Sequence, residues 1–344
     1  MINRKTLIVV GAGASREIGL PLGSELREEI STKLDLRFEN GFRQISGDDL
    51  IIDALREFAK QQGERDINPF LHTSWMIRDA LPQSISIDNF IDAHRDDFNV
   101  QLCGKLAIAK SILEAERNSD LFVGNPNSSI DFKSIESSWY SPFFKILTEN
   151  ASKADLNQIF EKTSFITFNY DRCIEQFIHK AINNYYRIPE QECASICRSL
   201  EILHPYGNTG FLPWQNKENP VGFGEIPYGS DLLRISGNIK TFTEQITDDP
   251  VVSLLQKSVE HADTIIFLGF AFHRQNMNIL KPKNKSNVKR ILGTATGISN
   301  PDVKSIEIDI LEWLGKKQGE VDIQIRNDLK CHSLFYEYWR TLSN

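Results

Sequence analysis

The sequence predicts an α/β protein of Rossmann-like build: a mostly parallel sheet with a large helical insertion after the first βα unit. Three observations predict it. The N-terminal apolar run Leu7–Val10 breaks into Gly11-Ala12-Gly13-Ala14-Ser15, and Arg16–Ile30 beyond it is mostly helix-compatible. From Phe165 onwards short apolar runs alternate with helix-patterned stretches, the order that favours parallel strands joined by crossover helices. The long segment between these two regions carries helical rather than strand periodicity.

Taken in chain order, Leu7–Val10 is the first strand. Within the insertion, Asp48–Gln62 places apolar residues at 50, 51, 52, 55, 58 and 59, one face of a helix. Phe98–Glu116 repeats the pattern through Val100, Leu102, Leu106, Ala107, Ala109 and Leu113, and the Asn- and Ser-rich Asn118–Ser138 reads as a connecting loop. Further strands are expected at Phe165–Phe168, Leu200–Leu203, Leu232–Ile235, Thr264–Leu268, Val288–Leu292 and Val321–Ile325, with helices over Asp171–Asn184 and Asp248–His261. Residues 1–30 and 155–327 then build the sheet domain, 31–154 the helical insertion and 328–344 a C-terminal helical segment. Phe335, Tyr336, Tyr338 and Trp339 in that segment suit either an assembly surface or docking onto the protein's own core.

Composition narrows the class. The chain has 344 residues, 40% hydrophobic and 25% charged, with a formal net charge of −7. That charge offers no general polybasic surface, so neither direct nucleic-acid binding nor attachment to an anionic membrane is expected. No apolar run approaches the ~20 residues of a spanning helix. The five cysteines are scattered; Cys193 and Cys197 lie four positions apart with no second pair at zinc-ribbon spacing. They read as free thiols, with half of a metal site as the alternative, and the protein is expected in the cytoplasm with its thiols reduced.

In a parallel sheet of this kind, ligands bind beyond the carboxyl ends of the strands. The residues there are Gly11–Ser15, Asn169-Tyr170-Asp171, His204-Pro205-Tyr206-Gly207, Gly269-Phe270 and Gly293-Thr294-Ala295-Thr296-Gly297. Glycines at a strand-to-helix turn let an anion approach the main chain. Asn169 offers both a donor and an acceptor, and His204 titrates near neutrality. Asp171 suits either an orienting contact or the N-cap of the helix that follows. Asp88 divides in the same way between a ligand group and a helix cap. Among the other histidines, His94, His179 and His261 suit surface or packing roles, and His273 lies close to Gly269.

These segments resemble a known family. Gly11-Ala12-Gly13-Ala14-Ser15 with Gly19-Leu20-Pro21 resembles the sirtuin opening motif, Gly-Ala-Gly-x-Ser followed by Gly-Ile-Pro. Thr167-Phe168-Asn169-Tyr170-Asp171 resembles the sirtuin Thr-Gln-Asn-x-Asp element, and Leu203-His204 resembles its Leu-His-Gly. Ala262–Gly269 is similar to the later strand that sirtuins end with Gly-Thr-Ser. The departures matter: Pro205–Val221 contains no cysteine where deacetylases carry two Cys-x-x-Cys pairs, Phe168 replaces the glutamine and Pro205 the glycine. Pro21-Leu22-Gly23-Ser24 stands where Asp-Phe-Arg follows the proline, whereas Phe223-Gly224-Glu225 retains a Phe-Gly-Glu element. The chain is more similar to the zinc-free sirtuin-like domains of bacterial antiphage defence, which share the Gly-Ala-Gly-Ala-Ser and Phe-Asn-Tyr-Asp elements. They also share a large helical insertion and a Ser-Ile-Asp within it, here Ser86-Ile87-Asp88.

The resemblance implies an NAD⁺ glycohydrolase that depletes NAD⁺ as a defence effector. It implies a pyrophosphate held at Gly11, Ala12, Gly13 and Ser15, with Asp171 beside the nicotinamide end. Asn169 and His204 would be catalytic, and Gly269, Phe270 and Thr294 would contact the adenosine. NAD would be the substrate and no metal would be needed. Regulation by homo-oligomerisation, or by a HerA-type ATPase or another sensor, is implied as well. Two alternatives remain open: an NAD-dependent protein deacylase and a non-catalytic subunit that senses NAD or ADP-ribose.

Overall fold

Six strands form one sheet in the order β5-β4-β1-β6-β7-β8, and every neighbouring pair runs parallel. The computed structural model describes residues 2–41, 43–125, 128–241, 244 and 250–343. In chain order, β1 (Thr6–Val10) leads into α1 (Ala12–Ser15) and α2 (Gly23–Lys33). A small antiparallel hairpin follows, β2 (Arg37–Glu39) and β3 (Arg43–Ser46), which the sequence pattern does not announce. Then come α3 (Asp49–Gln61), α4 (Asn68–Ala80), α5 (Ile87–Ala93), α6 (Phe98–Asn118) and α7 (Tyr140–Thr148). The sheet resumes with β4 (Thr163–Thr167), α8 (Cys173–Tyr186), α9 (Glu190–Cys197) and β5 (Glu201–Leu203). After α10 (Ser230–Ser236) and α11 (Pro250–His261) come β6 (Thr264–Leu268), α12 (Arg274–Leu280), β7 (Arg290–Thr294), α13 (Asn300–Leu314) and β8 (Asp322–Arg326). Two short helices close the chain, α14 (Cys331–Glu337) and α15 (Trp339–Ser343).

Local chemistry fixes the long helices of the insertion. Asp48 caps α3 by accepting from the Leu50 and Ile51 N–H groups, and Asp97 caps α6 through those of Asn99 and Val100. Ser86 caps α5 by accepting from Asn89 N–H, so the serine of Ser86-Ile87-Asp88 has a structural task.

Strand alternation divides the core into two layers. Leu7, Val9, Ile166, Ile265, Phe267 and Ile291 face one layer, which α3, α4, α5, α6 and α10 complete. Ile8, Val10, Phe165, Ile266, Leu268 and Leu292 face the other, filled by Trp139, Phe143, Phe177 and Phe335. Residues 31–154 thus supply packing to both faces of the sheet. Phe335 is fully buried and stacks on Trp139 at 6.1 Å, so that aromatic docks on the protein's own core; Tyr336 stays exposed.

One expected strand is corrected. Leu232–Ile235 lies in α10, where Leu232 and Ile235 are buried three positions apart on one helical face against α3 and α6. A four-residue apolar run carries no period, so neighbouring surfaces decide its form. The expected helix over Asp248–His261 is present from Pro250; Asp248 and Asp249 lie outside the described residues.

Candidate functional site

Because all six strands run parallel, the turns after β1, β4, β5, β6 and β7 gather at one edge of the sheet. The glycine turn after β1 and the turn after β6 cross there in direct backbone contact. Gly11 N–H donates to Leu268 O at 3.0 Å and Gly13 N–H to Gly269 O at 3.0 Å. A Cβ on Gly11 would stand 2.6 Å from Gly269 O, one on Gly13 2.8 Å from Gly269 Cα, and one on Gly269 2.1 Å from Ala14 N. Gly269 also has φ +53°, in the left-handed region that favours glycine. These glycines are therefore required by the crossing itself. Two of the N–H groups that the sequence assigns to a phosphate are already spent on it.

Beside the crossing, four residues form a directed chain. Asn169 Nδ2 donates to Ser15 Oγ at 2.9 Å, and Ser15 Oγ donates to Asp171 Oδ2 at 3.0 Å. Asp171 Oδ1 accepts from Cys173 N–H at 3.1 Å, tying the chain to the first turn of α8. Ser15 and Asp171 are buried, whereas Asn169 is only partly so. Burial pushes the Asp171 carboxyl above its usual range, against the bonds from Cys173 and Ser15. Asp171 thus aligns Ser15 and anchors the start of α8 at once.

His204 stands at the end of β5, next to Asn169. Its Nδ1 lies 3.2 Å from Asn169 O and its Nε2 2.8 Å from Glu175 Oε1. Burial disfavours the charged ring, but the Glu175 carboxylate and the Asn169 carbonyl prevail and hold its pKa above the ordinary histidine value. Glu175, on α8, is 2% exposed, and its Oε2 is buried without a hydrogen-bond partner among the described residues.

Phe270 and Thr294, two of the residues assigned to the adenosine end, are set deeper. Thr294 Oγ1 accepts from Gly269 N–H at 2.9 Å and lies 3.6 Å from Cys331 Sγ, so this buried hydroxyl holds the β6 turn. Phe270 is 3% exposed and packs on Phe168, ring centroids 5.2 Å apart. Asp88 of α5 accepts from the Tyr170 hydroxyl, which joins the helical insertion to the Asn169 turn. Tyr206 donates to Asn276 Oδ1 at 2.7 Å, and its ring packs against Phe168. Asn169, Ser15, Asp171, His204 and the glycine turns are therefore brought together, while Phe270 and Thr294 support the edge from below.

Sequence reasoning missed three charged residues. Glu175 falls on α8 one turn beyond Asp171, and that four-residue spacing was the only signal for it. Glu116 and Arg172 form an ion pair at 2.6 Å with neither side chain exposed. Glu116 Oε2 also accepts from Gly224 N–H at 3.0 Å. Gly224 has φ +64°, and a Cβ there would stand 2.6 Å from Arg117 Cα, which accounts for the glycine of Phe223-Gly224-Glu225.

Cys193 and Cys197 are buried free thiols with sulfurs 3.9 Å apart. Among the described residues no three His, Cys, Asp or Glu side chains converge as a metal site, and no helix is long and apolar enough to cross a membrane. A cavity of about 440 Å³ lies at the opposite edge of the sheet, beside Thr6, Thr163 and Ser164. Another of about 250 Å³, between α12 and α13, is lined by Phe272, Arg274, Met277 and Trp313. Neither includes Asn169 or His204.

The architecture is that of a Rossmann-like α/β protein with polar residues converging at the carboxyl edge of its sheet. No family model matches the chain, and no curated protein sequence does. Among solved structures, the crystal structure of a Sir2 homologue–NAD complex aligns with 99% of this chain and 90% of its own, at a TM-score of 0.40 and 15% identity. A likeness that distant carries no assignment of activity.

Proposed function

We propose that the chain is an NAD⁺ glycohydrolase converting NAD⁺ and water to nicotinamide, ADP-ribose and a proton. The observation that carries the reading is the Asn169–Ser15–Asp171 chain with His204 beside it, at the edge where β1, β4 and β5 end. The sirtuin-like motifs supply the choice of NAD⁺.

Breaking the nicotinamide–ribose bond releases a neutral pyridine from a cationic one, through an oxocarbenium-like transition state. The protein's work is then to hold the substrate and place one water. The Ser15 and Asp171 bonds restrict the Asn169 amide to one orientation, so it can hold a ribose hydroxyl or the attacking water without losing rotamer freedom at that moment. His204 takes the water's proton, a contribution of roughly 10²–10⁴-fold. Gly11, Ala12 and Gly13 wall the phosphate end; with Gly11 and Gly13 N–H already engaged, direct donation there falls to other groups. Chemistry of this kind needs no metal. The defence role, activation by homo-oligomerisation, and control by a HerA-type ATPase or another sensor complete the proposal on the strength of the motif resemblance.

Incubating the chain with NAD⁺, with and without activating partners, tests the reading. Nicotinamide and ADP-ribose are expected in equal amounts, and Asn169→Ala and His204→Ala should each abolish them. Full turnover by the double variant would sink it. A second reading, a subunit that binds NAD⁺ without consuming it, draws on one observation: both His204 ring nitrogens are engaged within the protein. Stoichiometric NAD⁺ binding with no nicotinamide release under any condition would favour it.

A further inference from the structure

We infer that Glu175 is the positioning residue for His204, holding Nε2 as a permanent donor and leaving Nδ1 as the nitrogen that exchanges a proton with water or substrate. The inference rests on the proposed hydrolysis only for its link to rate.

The geometry distinguishes the two ring nitrogens. Nε2 points at a carboxylate on the inner side of α8 that is 2% exposed, whereas Nδ1 points at the carbonyl of the partly exposed Asn169. Both partners are oxygens that accept and do not donate, so a ring satisfied on both sides must donate twice, as imidazolium. Losing one proton leaves one nitrogen lone pair facing an oxygen. On the Glu175 side that repulsion would involve a full charge, buried, with its second oxygen already unpaired. On the Asn169 side it involves the neutral carbonyl of a partly exposed residue. The Nδ1 proton therefore leaves first. A water then takes the place of the Nδ1–carbonyl contact and delivers its proton to Nδ1.

Groups around the pair favour the same order. Asp171 of the preceding turn adds a second negative charge near the ring. Cys173 of α8 and Tyr140 of α7 both feel the Glu175 charge, and both are held protonated, mainly by burial and further by the surrounding carboxylates. Arg172 and Glu116, close by, neutralise each other. The net field at His204 is negative, which supports the charged ring and raises its basicity once the Nδ1 contact opens.

Long-range ¹H–¹⁵N spectra of the full chain, recorded across pH without NAD⁺, test the assignment. The expected wild-type result is a His204 midpoint above the ordinary histidine value, with Nδ1 deprotonating and Nε2 keeping its proton. Glu175→Gln keeps an acceptor but removes the charge, so the midpoint should fall below that of wild type while the tautomer is retained. The acid limb of kcat/KM for nicotinamide release should move down in pH by the same shift. Deprotonation at Nε2 in the wild type, or an unchanged midpoint in Glu175→Gln, would overturn the inference; the wild-type tautomer decides even if the variant does not fold. The spectra separate this claim from the reaction. Expected spectra with no nicotinamide release from any form would sink the hydrolase and leave the Glu175 assignment standing. Asn169-dependent release with Nε2 deprotonating would do the reverse.

Discussion

Glu116 and Arg172, 56 positions apart in sequence, meet in an ion pair that solvent does not reach. Glu116 comes from the long helix of the insertion and Arg172 from the turn that also carries Asn169 and Asp171. The pair acts as a clamp for a third segment as well. The Arg172 guanidinium donates to the carbonyls of Gly210, Val221 and Gly222 at 3.2, 2.6 and 2.9 Å, respectively. Three carbonyls of the cysteine-free stretch 205–225 are thus held by one buried cation, and Gly224 N–H by its carboxylate partner.

Removing one partner should be costly. Glu116→Gln leaves a buried guanidinium short of its counter-charge, and a loss of about 3–5 kcal/mol is expected from chemical denaturation. A double replacement by apolar residues should not restore stability, because the three carbonyls would lose their donors. Wild-type stability in that double variant would refute the clamp.

Ser15 transmits order from Asp171 to Asn169. Ser15→Ala breaks both bonds and leaves Asp171 Oδ2 buried and unpaired, a cost of about 1–3 kcal/mol. Freed of its restraint, the Asn169 amide should lose roughly 10²-fold in kcat for nicotinamide release. An unaltered kcat in a folded Ser15→Ala protein would show that Asn169 needs no alignment.

The glycine crossing makes a separate prediction about stability. Gly13→Ala forces a Cβ against the Gly269 backbone and should destabilise by about 1–3 kcal/mol or more. Gly23→Ala, where nothing lies within 4 Å of the new Cβ, should instead stabilise by about 0.4–1 kcal/mol. Thermal melts of the two variants should move in opposite directions.

The Glu175–His204 contact predicts a pH dependence of stability. The folded-state pKa of His204 lies above the unfolded value, so its stabilisation is present in full below the unfolded pKa. It is lost as pH rises through the folded value. The melting-temperature gap between wild type and Glu175→Gln should therefore be widest in mildly acidic buffer and narrow on the alkaline side. A gap that widens with pH would contradict the charged pairing.

The sequence by itself determined the Rossmann-like sheet: the β-branched runs of β1 and β6, each closed by a glycine, mark strands, and the capped amphipathic α3 carries its own helical period. It also marked Asn169, Asp171 and His204, since strand ends in a parallel sheet face one edge whatever the loops do. The tertiary structure alone decided what a short apolar run becomes: Leu232–Ile235 is helical because α3 and α6 offer a helical groove. It decided the use of Gly11 and Gly13, whose missing side chains make room for Gly269, a residue far along the chain. It also brought Glu116 to Arg172 and Glu175 to His204. Such pairs depend on which distant groups share a water-free space, and local periodicity carries no record of that.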